Sequence, residues 1–218
     1  MRGFHPALAA FAQLPLAERL FVHARLFSAP LEAMATRVKG NRVADIGCGH
    51  GVLVSVLAVG FPEREVWGID PDERKIDWAR RSIGTFPNVK LQAGTVEALA
   101  KEQPHRFDTL FVADVLYLLP PAQWPAFLAA CRELLGPGGR LVIKEAENDG
   151  SWRAKKALLQ EELMVKVLRR THGSGAIGFE PRDTLKRALE ETGFSVVESV
   201  SLSRGYTTPH VLFVGECA

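Results

Sequence analysis

The stretch Val43-Ala44-Asp45-Ile46-Gly47-Cys48-Gly49-His50-Gly51 reads as a β-strand that runs into a tight glycine turn, with a helix opening behind it. Arg42 to Ile46 is mostly apolar, as a buried strand should be. Val52-Leu53-Val54-Ser55-Val56-Leu57-Ala58 continues apolar at a length that suits a helix. Glycine has no Cβ, so three of them in five residues let the chain take positive φ and let a ligand come close to the backbone. The helix that follows offers N–H groups and a positive dipole end to an anion. A plain strand-to-helix loop seldom needs so much glycine. The turn is therefore expected to hold a ligand.

Downstream, Glu65-Val66-Trp67-Gly68-Ile69-Asp70 is a second short apolar run that ends in an acid, 19 positions after Gly51. At the carboxyl end of a second parallel strand, a carboxylate can accept both hydroxyls of a ribose. An acid about 20 residues on does this in the dinucleotide fingerprint. The other role open to Asp70-Pro71-Asp72 is to cap a helix expected over 72–83, and the two roles are compatible.

Val89–Ala93 is a third strand, followed by Gly94-Thr95-Val96-Glu97-Ala98-Leu99, and Phe107–Ala113 is a fourth, ending at Asp114-Val115-Leu116-Tyr117. The near-continuous apolar character of the fourth strand suits a parallel sheet covered on both faces. A helix is expected over Pro121–Leu135, then a turn at Gly136-Pro137-Gly138-Gly139 and a fifth strand over Arg140–Lys144. Beyond an insertion at 149–180 come a helix over Pro181–Thr192, a strand over Phe194–Val200 and a last strand over His210–Gly215. The final two strands are too close in sequence for a crossover helix, so the last one is expected to run antiparallel. Regular alternation of strand and helix gives an α/β fold: a doubly wound, seven-stranded Rossmann-like sheet in a three-layer αβα sandwich, with its ligand at the carboxyl ends of the strands.

Residues 1–40 precede the first strand and form an N-terminal helical cap. Leu16, Leu20, His23 and Phe27 recur at helical spacing, as do Leu31, Met34 and Val38, with Pro30 between the two sets. The cap packs on the domain at 41–218 or lies over its ligand as a lid. Within the insertion, an amphipathic helix is expected from Ser151 to Arg170, carrying Arg153, Lys155, Lys156, Lys166, Arg169 and Arg170 against Glu161 and Glu162. Such a face is either solvated or directed at an acidic substrate or an anionic lipid surface. A glycine-rich loop, Thr171–Gly178, follows it.

Composition narrows the functional classes. With 218 residues, 47% hydrophobic and 24% charged, the chain is long enough for one sizeable domain with an added element. A net charge of +2 lacks the clustered excess of a nucleic-acid surface. Cys48, Cys131 and Cys217 form no CxxC pair, which argues against a disulfide framework or a zinc site and fits a reducing cytoplasm. No metal site is expected. No run reaches the roughly 18 to 20 apolar residues of a membrane span, while peripheral contact stays open. The apolar start at Ala7–Ala12 is interrupted by Pro6 and Pro15, unlike a signal peptide.

Taken together, Asp45-Ile46-Gly47-Cys48-Gly49-His50-Gly51, Asp70, Phe107-Asp108 through Tyr117, and Leu134-Leu135-Gly136-Pro137-Gly138-Gly139-Arg140-Leu141 resemble, in this order, the motifs of the class I S-adenosylmethionine-dependent methyltransferases. The likeness covers about residues 40–216 and is closest to the small-molecule and lipid members. It implies that Gly47, Cys48, Gly49 and Gly51 line the methionine portion, that Asp45 takes its ammonium and that Asp70, beside Pro71, holds the ribose. Thr95 and Val96 would lie at the adenine, and Asp114 and Val115 beside the cofactor. Thr95 departs from the family, which often has an acid there. Tyr117 is the residue expected to touch the acceptor, a small molecule or lipid. His50, Glu145, His172, Tyr206 and His210 are further candidates for a general base.

The product would be S-adenosylhomocysteine. Asp114-Val115-Leu116-Tyr117 lacks the Asn/Asp-Pro-Pro-aromatic pattern of base-amino methylation, so nucleic acid is disfavoured. A nicotinamide-dependent oxidoreductase would need glycine at 47, 49 and 52, and position 52 is Val. A non-catalytic cofactor-binding protein of the same fold is the remaining alternative.

Overall fold

The computed structural model describes residues 5–148, 150–153, 155–156, 158–159 and 180–217. Seven strands form one sheet in the order β3-β2-β1-β4-β5-β7-β6. They are β1 (Arg42–Ile46), β2 (Glu65–Asp70), β3 (Val89–Ala93), β4 (Phe107–Ala113), β5 (Leu135–Ala146), β6 (Phe194–Ser201) and β7 (His210–Cys217). β1 to β5 pair in parallel, and β7 runs antiparallel between β5 and β6, as the short final connection requires. The order reverses at β1, where neighbours β2 and β4 diverge, and this is the switch point at which such sheets bind ligands.

Both faces are covered. One core packs Leu110, Val112, Leu141, Ile143 and Phe213 under helices α6 (Val96–Glu102), α7 (Trp124–Leu134) and α8 (Arg182–Glu191). The opposite core packs Val43, Phe111, Val142, Leu212 and Val214 under α4 (Val52–Gly60), α5 (Glu73–Ile83) and the N-terminal helices α1 (His5–Ala9), α2 (Leu16–Ser28) and α3 (Leu31–Ala35). The three layers follow from strands that are apolar on both sides.

Three expectations change. The stripe Leu16, Leu20 and Phe27 does not pack: these residues are 68%, 62% and 72% exposed. α2 turns Glu18, Phe21, Val22 and Arg25 inward instead, because a Glu18–His50 contact and an Arg25–Asp114 ion pair, described below, fix its rotation alongside the buried Val22. The fifth strand starts at Leu135, directly after α7, and not at Arg140. Leu135 already pairs with Phe107, the chain then bulges through Gly136 to Gly139, and pairing resumes at Thr109–Arg140. The helix expected over 121–135 is a 3₁₀ turn at Pro121–Gln123 followed by α7. Of the helix expected over Ser151–Arg170, residues 152–159 are helical wherever described; 160–170, the loop Thr171–Gly178 and His172 lie outside the described residues.

Candidate active site

The glycine turn is held from below. Gly47 and Cys48 donate their N–H groups to the carbonyl of Ile69 at 2.7 and 3.0 Å, and Gly49 donates to Asp70 Oδ2 at 2.8 Å. These three donors lock the end of β1 to the end of β2, so the turn contributes shape at these positions more than N–H groups for an anion. Gly47, Gly49 and Gly51 all have positive φ, and a Cβ on Gly49 would meet nothing within 4 Å. That open space above the turn is the cradle. Gly47 has a second reason to be glycine: a Cβ there would lie 2.5 Å from Val115, which packs over the turn from the end of β4.

Asp70 accepts from Gly49 through Oδ2 and from the Asp72 N–H through Oδ1 at 2.9 Å. Each oxygen keeps a second lone pair, so the carboxylate can also receive the two hydroxyls of a ribose. Asp72 caps α5 by accepting from the Arg74 N–H, so the capping role weighed for Asp70-Pro71-Asp72 falls to Asp72. Pro71 is exposed beside them.

Asp45 is 3% exposed and its Oδ1 has no hydrogen-bond partner. Burial raises its pKa to about 8, against the opposing pull of Arg25, and nearby Asp70 raises it further. An unpaired buried carboxyl is costly, and an arriving ammonium would satisfy it. No motif of the sequence points to Arg25, which sits outside the fold motifs, on α2. It reaches the end of β4, donating to the carbonyl of Ala113 at 3.3 Å and pairing with Asp114. An amino-acid zwitterion needs an anion for its ammonium and a cation for its carboxylate; Asp45, giving up its proton as an ammonium arrives, and Arg25 could serve these two ends.

α2 spans this site. Glu18 meets His50 Nε2 at 2.8 Å and the Phe21 ring lies 5.4 Å from the His50 ring, while Arg25, two turns on, meets Asp114. His50, one of the general-base candidates, is thus buried beneath the helix. Its two contacts explain why: both come from the N-terminal segment, which no local pattern around position 50 reveals.

Asp114 has φ of 58°, and its carboxylate is gripped by Lys144 Nζ at 2.7 and 2.6 Å as well as by Arg25. Burial opposes its charge, but Arg25 and Lys144 hold its pKa below the usual carboxylate range. Burial pushes Lys144 down in turn, with Asp114 resisting. The Asp114 side chain is therefore committed within the protein, leaving its carbonyl for a ligand. Neighbouring Glu145 points to the other face of the sheet and accepts the N–H groups of Val115 and Leu116 at 3.0 and 2.9 Å, fixing the 3₁₀ turn Leu116–Leu118 that carries Tyr117. Burial, then Asp114, raise the Glu145 carboxyl to about 8. Tyr117 packs against Ala146 at the end of β5.

His210 opens β7 on the Lys144 side. Its Nε2 lies 2.9 Å from the carbonyl of Ser28, which can only accept, so Nε2 carries the proton and Nδ1 is a bare lone pair. Nδ1 is buried without a partner, and burial and Lys144 lower the imidazole to about 4. Tyr206 stacks edge-on against it, ring centres 5.4 Å apart.

The other expected contacts sit less centrally. Thr95 is exposed and caps α6 by accepting from Ala98 N–H at 3.2 Å, and the Val96 side chain is in the core, leaving backbone atoms to face an adenine. The Cys48 thiol is also buried in the core, packed toward Gly68, so only its backbone borders the cradle. Among the described residues there is no cluster of His, Cys, Asp or Glu able to hold a metal ion.

Comparison with known proteins agrees with this geometry. A family model described as a methyltransferase domain matches residues 17–199. A ubiquinone biosynthesis O-methyltransferase of Nitrosospira multiformis is 30% identical over 77% of this chain and 68% of its own length. One from Bordetella bronchiseptica is 30% identical over 81% and 73%. Among solved structures, an O-methyltransferase family protein from Burkholderia thailandensis has a TM-score of 0.72 at 18% identity, covering 95% of this chain and 61% of its own. A geranyl diphosphate methyltransferase in complex with SAM has 0.67 at 15% identity, covering 98% and 95%. At such identities the structures speak for the fold alone. The family model over residues 17–199 and the relatives at 30% identity decide the activity, and they leave no support for a nicotinamide enzyme: the chain belongs to the methyltransferase-domain family and is a class I S-adenosylmethionine-dependent methyltransferase.

Proposed function

We propose that the acceptor is a small, lipophilic molecule methylated on a hydroxyl oxygen, and that His210 receives the hydroxyl proton. The observation that carries this reading is the buried, unpartnered Nδ1 of His210. The oxygen chemistry and the lipophilic class are supported by the names of the ubiquinone biosynthesis O-methyltransferase relatives. S-adenosylmethionine, when bound, supplies a methyl group on a sulfonium, so the protein's task is chiefly alignment and exclusion of water.

In this reading Asp45 and Arg25 hold the methionyl end and Asp70 the ribose. The glycine turn and Val115 set the depth of the seat, and the backbone at Thr95 and Val96 borders the adenine. Glu145 fixes the turn that presents Tyr117 to the acceptor. His210 is kept neutral by burial and by Lys144, and its Nε2–H is fixed on Ser28, so Nδ1 is oriented to take a proton. Asp114, across the site, favours the imidazolium that results. α2 acts as the lid.

The test uses methyl-labelled S-adenosylmethionine with three acceptor sets: catechols with alkyl side chains, alkylamines, and β-diketones as carbon nucleophiles. Label is expected on the catechol oxygen, with His210→Gln lowering turnover by about 10²-fold or more, as loss of a proton acceptor does, while S-adenosylhomocysteine affinity is unchanged. Label on the amine or carbon set, or a His210→Gln enzyme as fast as wild type, contradicts the proposal.

A further inference from the structure

The outer surface of α2 does not take part in the site. Leu16, Leu20 and Phe27 are 68%, 62% and 72% exposed and fall within about 40° of one another around the helix axis. A solitary exposed leucine means little, but three large apolar side chains in one line on a soluble-protein helix mark a contact surface. The only acid of α2, Glu18, is turned inward to His50, and the exposed charged residue of the outer face is Arg19.

A second face of the same kind stands beside it. Trp152 and Leu159 are 71% and 68% exposed, and Lys155 and Lys156 are exposed with them. These four positions share about 100° of a helix surface. Residues 151–159 contain no acid. The two faces belong to one rim of the molecule. At the carboxyl end of α2 the Ser28 carbonyl accepts from His210, Tyr206 lies against His210, and Arg153 donates to the carbonyls of Ser203, at 3.1 Å, and of Tyr206. α2, the loop before β7 and the start of the 152–159 segment therefore meet at the carboxyl edge of the sheet, around the lid.

We infer that this rim docks on an anionic lipid surface. The choice of occupant rests on charge: among the described residues, the exposed charged side chains on these two apolar faces are cations, Arg19 on one and Lys155 and Lys156 on the other. This is the pattern of helices that lie in a bilayer interface, with Trp, Phe and Leu dipping below the headgroups and Lys and Arg meeting their phosphates. A second copy of the chain would place these like charges against one another. Docking at this rim would set the lid on the bilayer, the phase from which a lipophilic acceptor enters. The inference stands whichever acceptor atom is methylated.

Cosedimentation of the full chain with phosphatidylcholine vesicles, with and without phosphatidylglycerol, tests it. Binding is expected only with phosphatidylglycerol, weakening as salt is raised. It should fall about tenfold or more in Leu20→Glu/Phe27→Glu and in Lys155→Glu/Lys156→Glu. All four positions are exposed and outside the cofactor seat, so both variants are expected to keep wild-type S-adenosylhomocysteine affinity and melting temperature. No phosphatidylglycerol-dependent binding by the wild type, or undiminished binding by the two variants, overturns the inference. So does sedimentation showing a dimer that Leu20→Glu/Phe27→Glu splits while vesicles are ignored.

Discussion

At the scale of single residues, the site is built from side chains with more than one duty. Asp70 ties down the glycine turn through Gly49 and opens α5 through Asp72 while keeping lone pairs for a ligand. Asp70→Ala is accordingly expected to lower S-adenosylhomocysteine affinity by about 2 to 4 kcal/mol, since hydrogen bonds to a charged group are worth roughly 1.5 to 3 each, and to lower the melting temperature too. Calorimetry and thermal unfolding measure the two effects, and unchanged affinity would remove the ribose assignment. Asp45 makes a prediction in pH. Its ordinary value of 3.8 is raised to about 8 in the fold, so the fold favours the neutral carboxyl. Its contribution to stability is full below the unfolded value and is lost as pH rises toward 8, at up to about 1.4 kcal/mol per pH unit. In the ligand-free protein, urea unfolding of Asp45→Asn should therefore lose less stability between about pH 5 and pH 8 than the wild type. Glu145, also raised to about 8, keeps its own share in both, and equal slopes would show that Asp45 is not buried as described. Asp45 and Asp70 were legible in the sequence because motif spacing fixes them to strand ends. Arg25 and the tautomer of His210 were not, because both depend on contacts between segments 88 and 182 positions apart.

At the scale of elements, α2 packs by its charged stripe and not by its more apolar one. Its sequence holds two stripes of helical spacing, and hydrophobicity favours Leu16, Leu20 and Phe27 as the packed one. The stripe that packs is Glu18, Phe21, Val22 and Arg25, because its charged members find partners in His50 and Asp114. Periodicity locates a helix but cannot know which charges will be answered across the fold. The 12-residue β5 is a similar case: Gly136-Pro137-Gly138-Gly139 carries every local sign of a turn, yet it forms a bulge because Leu135 is already paired with Phe107. If α2 is a lid latched by Glu18 and His50, Glu18→Gln weakens one of its two latches. Release of S-adenosylhomocysteine, followed by stopped-flow fluorescence, is expected to quicken about three- to tenfold, the effect of weakening a partly buried carboxylate–imidazole contact by roughly 1 kcal/mol, with little change in melting temperature. An unchanged release rate would make α2 a fixed wall.

At the scale of the whole molecule, the sheet order β3-β2-β1-β4-β5-β7-β6 brings the ends of β1, β2 and β4 together under α2 and places β5 and β7 beside them. The residues proposed to hold the cofactor thus fall on one side of β4, and Lys144, Tyr117 and His210 on the other. The parallel order and the reversed last strand were legible from the alternation of elements and from the short loop before His210. The way the N-terminal segment closes the site was not, since that segment lies outside the sheet. We propose that this arrangement seats the amino-acid end of S-adenosylmethionine between Asp45 and Arg25 and its ribose on Asp70. Titration calorimetry of wild type, Asp45→Asn and Arg25→Ala with S-adenosylhomocysteine, 5′-methylthioadenosine and NAD tests it most directly, because methylthioadenosine keeps the ribose and lacks the zwitterion. The wild type is expected to bind S-adenosylhomocysteine in preference to NAD. Each variant is expected to lose about tenfold or more for S-adenosylhomocysteine, a charged hydrogen bond being worth about 1.5 kcal/mol at least, and little for methylthioadenosine. Preference for NAD, or equal losses for both adenosine ligands, would contradict the account.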